Sequence, residues 1–237
     1  MNQVGVIAAF TLRESLRRRV FLVVALLTLA FLGLYALGTW QLFEELDKNE
    51  LDAAGVELDP KGFVKVDPAL RTTAPTVSAI GDVAGGALLA HKASEEGVAA
   101  VEFHAGLKRG PVDPHHIPAC IYAEPQVAWI GLTEAEARAK YGDDVKVGRF
   151  PFTASGKAVA SAHSAGFAKI VAEPKYGQIV GAHLIGAGAT ELIAELGLAM
   201  TLEATTTEVG DTAHAHPTLA EAIKEAALAA EGRGINF

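Results

Sequence analysis

Residues 166–186 read GFAKIVAEPKYGQIVGAHLIG, two runs rich in Ile, Val, Leu and Phe on either side of Lys175-Tyr176-Gly177. Apolar residues that alternate with small or polar ones, parted by a short glycine-containing turn, specify a β-hairpin. The pattern continues upstream in VKVGRFPF (145–152) and VAWIGL (127–132), which read as further strands. Between these two lies TEAEARAKYG (133–142), where Thr133 and Glu136 form a capping-box pattern at the start of a helix. Downstream, GATELIAELGLAMTLEA (188–204) and PTLAEAIKEAALAAEG (217–232) have helical spacing. An antiparallel sheet with helices on one side, an α+β module, is the expected fold.

Before this module, GFVKVD (62–67) and TVSAIGD (76–82) read as two short strands separated by PALRTTAP. GALLAHKASEEGVAAVEFHAG (86–106) then reads as a helix. A carboxylate, Asp82, and a glycine pair, Gly85-Gly86, at a strand end followed by a helix suit a ligand site in an α/β arrangement. They equally suit a turn or an N-cap, because GDVAGG is not a GxGxxG fingerprint.

The 237 residues carry a net charge of −8, distributed unevenly. Residues 1–40 hold four arginines against Glu14, whereas residues 41–237 hold 16 basic and 27 acidic groups. An acidic body without a basic stripe excludes nucleic acid as a partner. The single cysteine, Cys120, excludes an internal disulfide and any four-cysteine metal site, and its setting in HIPACIYAEP is that of a buried core thiol. His115-His116 and His214/His216 lack the i, i+4 spacing of a helical zinc site, so no metal is expected.

Residues 20–40, VFLVVALLTLAFLGLYALGTW, contain no charge and as a helix would span about 31 Å, enough for a transmembrane segment. Arg13, Arg17, Arg18 and Arg19 precede it and FEELDKNE follows, so the positive-inside rule keeps the N-terminus cytoplasmic. A signal peptide is the alternative, though the apolar run is long for one. VIAAFTLRESLRRRVFLVVALLTLAFLGLYALG (6–38) resembles the first membrane span of ABC-type transporter permeases. Three segments are expected: residues 1–46 with the span 20–40, residues 47–112, and residues 113–237.

Four stretches, AIGDVAGGALLAHKASEEGVAAVE, HIPACIYAEPQVAWIGLTEAEA, KIVAEPKYGQIVGAHLIGAGATELIAELGLAM and HAHPTLAEAIKEAALAA, together resemble the dihydrolipoamide dehydrogenases. These are flavin-dependent pyridine nucleotide-disulfide oxidoreductases. The resemblance runs from about Leu51 to Phe237. It implies that residues 47–112 are a remnant of the α/β NAD/FAD-binding domain and that residues 113–237 are the interface domain through which the family forms homodimers. It further implies that Asp82 hydrogen-bonds the ribityl chain of FAD and that the backbone of Leu89, Ala90 and His91 approaches the flavin. His216 then matches the general base that deprotonates dihydrolipoamide, and Glu221 matches its orienting partner.

The implied parent is a cytoplasmic, FAD- and NAD-linked oxidoreductase that serves a 2-oxoacid dehydrogenase complex. This chain has no GxGxxG motif and no CxxxxC pair, so it is expected to hold only part of the FAD site and to be inactive alone. The alternatives are a membrane-anchored, non-catalytic dimerisation module and a mis-joined fusion with a permease helix. The residues themselves leave one further choice open. Thr218-x-x-Glu221 is also a capping-box pattern, in which Glu221 would only satisfy backbone N–H groups. Pro217 suits the first helical position, which would set Glu221 about one turn further on.

Overall fold

A computed structural model describes residues 51, 53–107 and 111–236. The expected membrane span, residues 20–40, lies outside the described residues, and among the described residues no helix is long and apolar enough to cross a membrane.

Five strands, β1 (Ala119–Ile121), β2 (Val127–Gly131), β3 (Lys146–Pro151), β4 (Phe167–Ala172) and β5 (Ile179–Ile185), form an antiparallel sheet in the order β1-β2-β5-β4-β3. The hairpin of residues 166–186 supplies its two central members. Its turn is held by Glu173, whose carboxylate accepts from the backbone N–H groups of Lys175, Tyr176 and Gln178. These bonds offset the carboxylate's partial burial and keep its pKa below the ordinary range.

Register assigns each strand residue to a face. Ala128, Leu184, Ala168 and Phe150 form one cross-strand row, and Ile130, Ala182, Ile170 and Gly148 the next. All but the glycine are core residues exposed by no more than 2%. Against this face pack α4 (Ala189–Thr201) and α6 (Glu221–Ala230), which contribute Ile193, Leu196, Ala222, Ile223, Ala226 and Ala227 to the same core. Alanines at i, i+4 spacing let α6 lie unusually close to the sheet. A Cβ at Gly148 would stand 1.8 Å from the Ala226 carbonyl oxygen, so only glycine fits there.

The opposite face carries rows of different chemistry, one of them Trp129, His183, Lys169 and Arg149. Helix α2 (Glu134–Tyr141) covers one corner of it through Ala137, which clusters with Leu132, Val145 and Val171, so helices lie on both sides rather than one. The predicted capping box is present, with Thr133 Oγ1 accepting from Glu136 N–H at 3.2 Å and Glu136 accepting from Thr133 N–H at 2.8 Å. Two short helices went unpredicted, α3 (Gly156–Ala160) and α5 (Thr206–Asp211). Helix α5 has its own signal, a second capping box between Thr205 and Glu208.

In the preceding segment the helix is present as α1 (Ala90–His104), but the two expected strands are not. Residues 62–82 make only isolated bridges, Leu58 with Val64 and Arg71 with Ser78. The reason is local: Asp67 draws the N–H groups of Ala69 and Arg71 onto its own carboxylate, and Leu70 adopts φ 62°, which no strand accommodates. Leu70 packs instead with Ala99 and Ala100 of α1.

Candidate functional site

His216 lies on the segment between α5 and α6, its side chain 77% exposed, and its Nδ1 is 2.9 Å from Glu221 Oε1. The other carboxylate oxygen accepts the Thr218 N–H at 2.9 Å, and Thr218 Oγ1 donates to the Ala215 carbonyl at 2.7 Å. Glu221 therefore combines the two roles that the sequence left as alternatives, one oxygen serving the backbone and one the imidazole. First the Thr218 N–H and then the His216 ring hold its carboxyl below the usual range. It remains an acceptor at neutral pH.

Pro217 does not open the helix. The His216–Pro217 peptide is cis, and α6 begins at Glu221 itself, after Ala220. Glu221 thus meets His216 from the first helical residue rather than from one turn inside. With Nδ1–H donated to a carboxylate, Nε2 keeps its lone pair and faces outward. That arrangement suits a base taking a proton from an approaching group.

Asp82 sits in a 3-10 turn, Gly81–Ala84, and among the described residues its carboxylate has no partner. The turn is fastened to α1 by a buried ion pair: Lys92 Nζ and Glu96 Oε1 are 2.8 Å apart, each side chain 10% exposed, and Glu96 Oε2 accepts the Gly81 N–H at 2.7 Å. Sequence reasoning passed over this pair because charges at i, i+4 on a helix usually face solvent.

Leu89 is the N-cap of α1 and its side chain makes no cap bond, and among the described residues no side chain accepts the N–H groups of Ala90, His91 and Lys92. His91 Nε2 lies 2.6 Å from the Pro118 carbonyl oxygen. Beside this loop Val77, Ile80, Val83 and Leu88 are exposed. Among the described residues no hydrogen bond or ion pair joins the Asp82–His91 region to the His216–Glu221 pair.

His115 and His116 are exposed in the turn Pro114–His116. Among the described residues no group of three or more metal-ligating side chains comes together. Cys120, in β1, is half-buried against the main core rather than enclosed by it, and desolvation pushes its thiol up.

Residues 117–227 match the dimerisation domain of the pyridine nucleotide-disulphide oxidoreductases, and residues 44–97 match a second domain of the same enzymes. This part of the chain belongs to that family. Among curated relatives, the dihydrolipoyl dehydrogenase of Bacillus subtilis is 52% identical over 176 residues, which are 74% of this chain and 37% of that enzyme. The mitochondrial dihydrolipoyl dehydrogenase of the dog is 42% identical over 79% of this chain and 36% of its own length. The crystal structure of LpdA from Mycobacterium tuberculosis superimposes with a TM-score of 0.70 at 26% identity, covering 75% of this chain and 38% of that one. The chain thus spans less than half of the relatives it matches. The match to the dimerisation domain covers the whole sheet and α1's successors from α2 to α6, except the last three residues of α6.

Proposed function

We propose that this chain supplies the interface-domain half of a dihydrolipoyl-dehydrogenase-type flavoenzyme, with His216 as general base and Glu221 as its orienting partner. The observation that carries this reading is the 2.9 Å contact between His216 Nδ1 and Glu221, which leaves Nε2 open to solvent. A carboxylate on Nδ1–H fixes the tautomer and stabilises the imidazolium once a proton arrives.

The substrate is a dithiol such as dihydrolipoamide. Its thiol proton passes to His216 Nε2, the resulting thiolate attacks one sulfur of a disulfide, and the other sulfur leaves as thiolate. The disulfide must come from another polypeptide region, since Cys120 is the only cysteine in this sequence. FAD, when bound, would take the electron pair onward to NAD. The residues present fit one wall of a flavin site: Asp82, without a partner among the described residues, offers an acceptor to a hydroxylated chain, and the N–H groups of Ala90 and His91, unaccepted by any described side chain, suit electronegative ring atoms. The exposed Val77, Ile80, Val83 and Leu88 are consistent with a surface that the rest of an FAD domain covers.

In this reading residues 47–112 are a remnant of the nucleotide-binding domain and residues 113–237 the homodimerising interface domain, which offers His216 to the partner subunit's site. A 2-oxoacid dehydrogenase complex would provide the dihydrolipoamide. The test is reconstitution. Alone, the purified chain is expected to be colourless and without NAD-linked lipoamide turnover. Mixed with a polypeptide carrying the FAD domain and redox cysteines of a relative, it is expected to gain turnover that His216→Gln lowers by about 10²- to 10⁴-fold. Turnover indifferent to His216→Gln would overturn the assignment of the base.

A further inference from the structure

His214 precedes the proposed base by two residues, and its environment is the opposite of that of His216. Its side chain is 5% exposed, with Nε2 2.8 Å from Glu195 Oε1 on α4 and Nδ1 3.0 Å from the Thr212 carbonyl oxygen. Both partners are acceptors, so whichever ring nitrogen carries a proton finds one to donate to. The Thr212 carbonyl also receives Lys224 Nζ of α6 at 3.0 Å. Residues 212–216 are thereby tied to α4 through Glu195 and to α6 through Lys224. The groove around them is lined by Leu198, Leu202, Val209 and Ala213, with Glu208 as its other titratable member.

The Glu221 contact can set the tautomer of His216, but a single exposed contact to a carboxylate is worth little and cannot by itself hold the backbone that carries the ring. The His216–Glu221 pair therefore needs its backbone fixed by other means. Within this segment the side chain that is both buried and bonded to a neighbouring helix is that of His214.

We propose that His214, anchored by Glu195, is a positioning residue that holds the backbone of residues 212–216 so that His216 presents Nδ1 to Glu221. The proposal rests on the assignment of His216 and Glu221 as base and partner.

The test is nitrogen-15 NMR of the histidine rings in the full chain, with signals assigned by single His→Gln substitutions. In the unsubstituted chain His216 is expected as a single Nδ1–H tautomer. Glu195→Ala is expected to abolish that preference, giving a mixture of tautomers and loss of the protected Nδ1–H signal. Glu195→Gln keeps an acceptor for His214 and is expected to retain the preference, a rescue that general destabilisation would not produce. His214→Ala should behave like Glu195→Ala; should it fail to fold, Glu195→Ala decides alone, since alanine suits a half-exposed helical position. A His216 tautomer unchanged in Glu195→Ala, while the His214 Nε2 signal reports a broken contact, overturns the positioning role and leaves the dyad standing. Absence of the Nδ1–H tautomer from the unsubstituted chain overturns the dyad itself, and the positioning role with it.

Discussion

His183 shows what a single polar residue costs when its row in the sheet is wrong for it. It sits between Trp129 and Lys169 in the cross-strand row, both ring nitrogens are buried, and among the described residues neither has a hydrogen-bond partner. Lys169 gives its ammonium to Glu134 at 2.6 Å and, with no lone pair, cannot accept from the imidazole. Desolvation first, and then the Lys169 charge, push the imidazole below its ordinary value. A depressed histidine costs stability as pH falls: the unfolded chain takes up its proton near about pH 6.5, while the folded chain resists until its own lower value. His183→Leu is therefore expected to raise stability by about 1 kcal/mol at neutral pH and by more in mild acid, read as the urea midpoint against pH. Glu221, also depressed, has the same sign but acts at lower pH. Its depressed carboxyl keeps the His216 contact throughout the neutral range, and the contact is lost only as pH drops through that lowered value. A carbon-13 titration of the Glu221 carboxyl that ends below the ordinary carboxylate range would verify this. The sequence displayed His216 and Glu221 plainly, because a motif of eight residues brings them together locally. It could not display the Glu195–His214 or Glu96–Gly81 contacts, whose partners stand 19 and 15 residues apart and meet only through helix packing.

Among elements, the legible ones were those whose stability is written into adjacent residues. The hairpin of β4 and β5, the capped helix α2 and the alanine-rich α6 follow from period, turn and cap, and the structure has all three. Thr133→Ala is expected to cost about 1 kcal/mol in a thermal or urea melt, since it removes the cap of α2. The segment 62–82 defeated the same reasoning, since Asp67 and the left-handed Leu70 bend a chain whose composition favours strands. Gly148 marks the tightest helix–sheet contact, where β3 meets α6. Gly148→Ala is expected to lose about 3 kcal/mol or more, because backbone atoms rather than a flexible side chain stand in the way. A melt unchanged by that substitution would mean that α6 can lift from the sheet.

At the scale of the molecule, two small apolar clusters lie in residues 51–112, around Val56, Val64 and Ala74 and around Leu70, Ala99 and Ala100, apart from the large core of the sheet domain. Leu198 of α4 and Leu202, the residue just after it, are 61% and 69% exposed beside the His214 groove, and in the proposed homodimer they supply its apolar contact. On that proposal the chain is expected to sediment as a dimer and Leu198→Glu as a monomer with unchanged circular dichroism; a wild-type chain that sediments as a monomer would overturn it. The sequence by itself determined the α+β class and the antiparallel strands, because these depend on spacing within a few residues, and its resemblance to the dihydrolipoamide dehydrogenases singled out His216 and Glu221 as the proposed acid–base pair. Only the tertiary structure decided that helices cover both faces of the sheet, that Glu221 splits its oxygens between Thr218 and His216, and that His214 and His216 have opposite surroundings. Burial and register are set by where distant elements pack, and no local pattern carries that information.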